Sequence, residues 1–209
     1  MNSIRMSLSL LATGICVALV GACSGDAPGT PTVPQSTPGE GVGGNVPKVV
    51  APLDISTYLE DPCGLVPQDV ATGLGFPVPG RPDTGESSSS AALAGPGCVW
   101  TAPDSIKGLD VNIQTGNQKN GLGGLQGLHD AYQRGQYSFW EPFSVSNYPA
   151  AYHDASDLRE SGVCNLAVGI KDDLTFSVTA AGYDKEPDQA CPDAVQVAEQ
   201  VIATLKRGS

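Results

Sequence analysis

Four cysteines, Cys63, Cys98, Cys164 and Cys191, constrain what this chain can fold into more than any other feature. Their meaning depends on the compartment, because thiols stay reduced in a cytosol and pair once exported. The N-terminus supplies the address. Arg5 precedes an apolar run from Met6 to Val20, about 15 residues and too short for a bilayer span, which needs about 20. The run closes on Val20-Gly21-Ala22-Cys23, small residues directly before a cysteine, the pattern of a lipoprotein processing site. This predicts a signal peptide over 1–22 and a mature chain that begins at a lipidated Cys23 on the outer face of the plasma membrane. An ordinary signal peptide cut without lipidation is the simpler alternative, but it leaves the placement of Cys23 unexplained. Cys16 is discarded with the signal. The four remaining cysteines, an even number in an exported chain, predict two disulfides with three connectivities open. Chain order favours Cys63 with Cys98 and Cys164 with Cys191, since each pair ties a predicted helix start to a nearby strand. A zinc site is the rival reading, but no C-x-x-C or Cys/His spacing supports one, and no metal or cofactor is expected.

Charge narrows the partners. Loss of residues 1–22 removes one arginine and no acid, so the formal charge goes from −11 to −12. Such a domain repels phosphate backbones, which excludes nucleic acid as a natural partner, and the residues after Cys23 carry no basic run to assist the lipid. The expected contact with the membrane is the lipid anchor alone. Residues 23–52, mostly Gly, Pro, Thr and Val, cannot bury enough surface to fold and read as a disordered tether with a reach of roughly 30 Å. Gly80 to Gly95, with Ser87-Ser88-Ser89-Ser90, reads as a surface loop. Residues 53–209 then form a single domain.

Within that domain Pro67 to Leu74 reads as a short helix, with proline at its first turn and glycine at its end. Cys98-Val99-Trp100 and Leu109, Val111 and Ile113, the last three alternating with Asp110, Asn112 and Gln114, read as half-buried strands. Leu122, Leu125, Leu128 and Tyr132 recur at helical spacing against the opposition of Gly121, Gly123, Gly124 and Gly127. Phe143 to Val145, Ala150 to Tyr152, Val163 to Ile170 and Leu174 to Ala180 supply further strands, with Lys171-Asp172-Asp173 as the last turn. Pro192 to Lys206 is the strongest helix, with Ala194, Ala198, Val201, Ile202 and Leu205 on one face. The order predicts an α+β domain, an antiparallel sheet of four or more strands covered by helices and braced by two disulfides.

These residues also carry a resemblance. Asp61-Pro62-Cys63-Gly64-Leu65, Cys98-Val99-Trp100, Phe139-Trp140-Glu141-Pro142-Phe143, Tyr148-Pro149-Ala150, Cys164-Asn165-Leu166-Ala167-Val168 and Cys191-Pro192 with its helix together resemble an actinobacterial family of exported lipoproteins classed as a domain of unknown function. The resemblance rests on order and spacing over nearly all of residues 53–205, and it implies a small envelope lipoprotein with the same two disulfides. Asn147 stands where the family usually has Gly. The layout also resembles the extracellular sensor domain of a mycobacterial serine/threonine kinase.

Chemistry is sparse. The two histidines, His129 and His153, sit in no metal-binding pair, and no G-x-S-x-G elbow is present. His153-Asp154, Asp157 and Glu160 form the densest polar cluster, a candidate for Ca²⁺ binding that misses the EF-hand spacing or for acid/base work, with Asp154 and Asp157 as the acids an envelope-polymer hydrolase would use; a solvated loop explains the cluster more simply. Asp172-Asp173 reads as a hairpin turn. Tyr137, Phe139, Trp140 and Phe143 crowd into seven positions, either as an apolar ligand groove or as core packing. The chain therefore reads as a tethered, non-enzymatic binding or interaction module for an envelope protein or a small apolar ligand. A hydrolase or ligand-sensing domain is the alternative.

Overall fold

The computed structural model describes residues 46–85, 89–103 and 105–208. The expected signal peptide, Cys23 and most of the tether lie outside these residues. After two short 3-10 turns the elements run α1 (Gln68–Gly73), β1 (Arg81–Asp83), α2 (Ser89–Ala94), β2 (Gly97–Thr101), β3 (Gly108–Ile113), α3 (Thr115–Lys119) and α4 (Gly124–Gln133). They continue as β4 (Phe139–Val145), β5 (Tyr148–Asp154), β6 (Cys164–Lys171), β7 (Leu174–Ala181) and α5 (Ala190–Arg207). The domain is α+β, and every neighbouring pair in its seven-stranded sheet, ordered β1-β2-β3-β7-β6-β5-β4, is antiparallel.

Alternation along the strands gives the sheet two unlike faces. Val111, Val178 and Leu166 meet across β3, β7 and β6 on the first face, all fully buried. α5 covers them with Ala194, Val197, Ala198, Val201, Ile202 and Leu205, the stripe its periodicity predicts. Cys164–Cys191 ties β6 to the start of α5, and Cys63–Cys98 ties an N-terminal turn to β2.

The second face is covered in part by α4, whose Leu125 and Leu128 pack on Ala151 of β5 and Ala167 of β6. The glycines that oppose this helix have a reason. Gly124 sits at φ +75°, and a Cβ there would come within 2.0 Å of the carbonyl oxygen of Asp172. The helix starts against the β6–β7 turn, and only glycine lets the two backbones approach. The β4–β5 turn is likewise a two-residue turn with positive φ at Ser146 and Asn147, a conformation asparagine tolerates.

Two stretches depart from expectation. Residues 46–52, whose composition reads as tether, lie on the domain: Val46 N–H donates to Gln126 Oε1 at 2.9 Å and Val49 N–H to Asp172 Oδ1 at 3.0 Å. The Gly/Ser segment read as a loop contains β1 and α2. Pairing with β2 holds β1 in place, a tertiary effect that local composition does not carry.

Candidate functional site

The second face of the sheet changes character along its length. Cross-strand pairs align Asn165, Thr179 and Asp110 in one row and Ala167, Ser177 and Asn112 in the next, across β6, β7 and β3. Toward the β4 edge, His153 of β5 pairs with Trp140. Where this polar surface passes beneath α3 and α4 it forms a cavity of about 150 Å³, closed by Gln114, Asn117, Leu128 and Tyr137. Larger depressions, among them those of about 480 Å³ beside Val46–Val49, about 490 Å³ beside Ile106 and Tyr183, about 400 Å³ beside Thr115 and about 280 Å³ beside Trp100, are lined by no buried polar atom lacking a partner among the described residues.

A carboxamide ladder builds the wall. Asn117 donates to Gln114 Oε1 at 2.9 Å, and Gln114 donates to Ser177 Oγ at 2.9 Å and to Asn112 Oδ1 at 3.3 Å. Asn165 donates to Asp154, whose other carboxylate oxygen accepts the backbone N–H of Ala155 at 2.6 Å. His153 stands apart. Both of its ring nitrogens are buried without a hydrogen-bond partner, and burial holds its pKa below the ordinary imidazole value against the pull of Asp154. Tyr137 packs edge-on against its ring at 5.1 Å, and Trp140, at 6.4 Å, joins it to His129 and Tyr132 under α4.

Asp110, at the open end of the row, is half-buried with its pKa pushed up to about 6, by desolvation first and then by Asp83, against the pull of Arg81. Between pH 3.8 and about 6 the folded state holds a proton that the unfolded chain has released, so stability is lost as pH rises through that window. The loss is complete above the window and is on the order of 2–3 kcal/mol. Asp110→Asn is therefore expected to raise the urea midpoint clearly at pH 7 and hardly at pH 4. An equal gain at both values would mean that the carboxyl titrates at its ordinary pH. His153 acts in the opposite sense: its lowered pKa costs stability as pH falls below the unfolded imidazole value.

The residues singled out by sequence are dispersed. Tyr137 and Trp140 lie with the α4 cluster on the second face. Phe139 and Phe143 point to the first, where Phe143 stacks on Tyr152 at 4.2 Å and Arg159 lies over Phe139 at 4.4 Å. The strand period sets Trp140 opposite Phe139 and Phe143, and Tyr137, which precedes β4, packs with the α4 cluster, so the four form no single groove. Asp157 is bound by Arg159 through two bonds of 2.9 and 2.8 Å, which hold its carboxyl below the usual range, and Arg159 also pairs with Glu141 at 3.0 Å. Asp172 anchors Lys48 and Val49, and Asp173 accepts from Gln118 at 2.9 Å, so both belong to the turn and its packing. Gln114, Asn117, Asn165, Ser177 and Thr179 are the site residues that sequence reasoning missed. The polar positions of β3 were the visible signal, but alternation alone does not reveal that helices cover part of that face.

A family model for proteins of unknown function, DUF3558, matches residues 18–204. No curated protein and no solved structure matches the chain.

Proposed function

The chain belongs to the DUF3558 family of proteins of unknown function, and on that premise we propose that it is a lipid-anchored, extracytoplasmic, non-enzymatic binding module whose recognition site is the cavity beneath α3 and α4. The observation that carries this reading is His153, which lines the polar cavity and whose two ring nitrogens are buried without partners. A buried polar group left unpaired costs about 1–3 kcal/mol, and a ligand that supplies the partner recovers that cost. The anchor rests on Val20-Gly21-Ala22-Cys23, where small residues lead directly into the cysteine that would carry the lipid. A hydrolytic reading through Asp154 and Asp157 has less support, because both carboxylates are engaged by neighbouring groups and stand outside the cavity wall.

Cys23→Ala tests both halves. The exported variant is expected in the medium in place of the membrane fraction, and native mass spectrometry of the released protein should show mass beyond the polypeptide with two disulfides. His153→Phe should lose that excess while its thermal transition stays within a few degrees. A variant that stays with the membranes would refute the anchor, and a bare mass insensitive to His153 would refute the cavity as the recognition site.

A further inference from the structure

We propose that the cavity takes one uncharged, hydroxyl-rich ring, the size of a single sugar unit; this rests on the binding reading above. The wall carries no Lys, Arg, Asp or Glu side chain. An ion entering it would lose water without meeting a countercharge, a desolvation cost that a neutral ligand avoids.

The valences left open are mixed in sign, as hydroxyls require. The amide groups of Asn117 and Asn165 donate to Gln114 and Asp154, and the carbonyl oxygens of both make no hydrogen bond among the described residues and are left as acceptors. Ser177 Oγ already accepts from Gln114, so its own proton is free to donate. Thr179 and Tyr137 offer hydroxyls that both donate and accept, and a neutral His153 offers one ring nitrogen of each kind. A phosphate or carboxylate needs donors only and an ammonium needs acceptors only. A sugar hydroxyl uses both. Leu128, Ala167 and the Tyr137 ring supply apolar contact for the C–H face of such a ring.

Size points the same way. About 150 Å³ holds roughly five waters at their liquid volume and falls well short of the roughly 300–1,000 Å³ of pockets for larger ligands. One ring fits, either free or as the terminal unit of an envelope glycan.

The test is an NMR titration of the mature exported protein, read at the His153 imidazole. The probes are methyl glycosides of glucose, galactose, mannose and arabinose, with glucuronate, glucose 1-phosphate and glucosamine as charged counterparts. At least one neutral glycoside should shift His153 saturably and bind at least tenfold more weakly to Thr179→Val or Ser177→Ala. An oligosaccharide ending in the same unit that binds as well or better assigns the source to a glycan; preference for the monosaccharide assigns it to a free sugar. Equal or tighter binding of a charged counterpart would overturn the ligand class and leave the binding reading intact. So would silence from all glycosides in a protein that still carries excess native mass dependent on His153. Silence together with a bare native mass would overturn both.

Discussion

Asp193→Ala is expected to lower the unfolding free energy by about 3–5 kcal/mol, because it strands a largely buried cation and several donors at once. Asp193 lies in the first turn of α5 and is 4% exposed. Its Oδ2 accepts the Tyr183 hydroxyl at 2.7 Å and pairs with Lys107 Nζ at 3.5 Å, while Oδ1 accepts from Gln189 at 2.7 Å. Lys107 Nζ also donates to the backbone oxygen of Leu74 at 3.2 Å and sits 4.2 Å from the centre of the Tyr183 ring. One carboxylate thus joins α5, the residue that leads into β3 and the end of α1 through a shared lysine. The dipole at the N-terminus of α5 adds to its stabilisation there. Asp193→Asn keeps the shape and part of the bonding and should cost less than the alanine. Tyr183 gives an independent readout: burial first and the Asp193 bond second push its phenol above the ordinary range, so the alanine variant should titrate closer to it. A loss under about 1 kcal/mol in urea unfolding, with Tyr183 unmoved, would mean that the network is incidental.

How much of this was legible depended on whether the signal was local. Pro67 and the residues after it announce α1, Asp172-Asp173 announces the β6–β7 turn, and the apolar stripe from Ala194 to Leu205 announces α5. The disulfide pairing was also legible, because each pair joins a turn or helix start to a strand. β1 was not legible, since Arg81-Pro82-Asp83 has no strand character without β2 beside it. The site was missed for a related reason. Asp110, Asn112, Ser177 and Thr179 alternate with core residues as solvent-facing positions do, and only the return of α3 and α4 across the sheet turns part of that face into a cavity. The crowding of Tyr137, Phe139, Trp140 and Phe143 was visible, but once β4 forms its alternation sets Trp140 opposite Phe139 and Phe143, while Tyr137 stays in the connection before the strand.

The two disulfides should prove equal in stability and unequal in their effect on the cavity. Their cysteines are 35 and 27 residues apart, and for loops of that length chain entropy gives roughly 3.5–4 kcal/mol each. Replacing either pair by alanines is expected to cost about that much in urea unfolding, a large share of the roughly 5–15 kcal/mol that a domain commands. Destabilisation below about 1 kcal/mol in either variant would show that residual structure already holds that loop closed in the unfolded chain, so that the bond adds little to the equilibrium. Their surroundings differ. Cys98 lies on β2, separated from β6 by β3 and β7. Cys164 lies on β6 itself, next to Asn165, and strand alternation turns the first toward α5 and the second into the cavity wall. Loss of the Cys164–Cys191 brace frees both faces of that strand end. The Cys164→Ala/Cys191→Ala variant should therefore weaken whatever shifts the His153 resonances, while the Cys63→Ala/Cys98→Ala variant, matched in stability, leaves that affinity within about twofold. An equal loss of affinity in both would show that global stability, and not the local brace on β6, sets the geometry of the site.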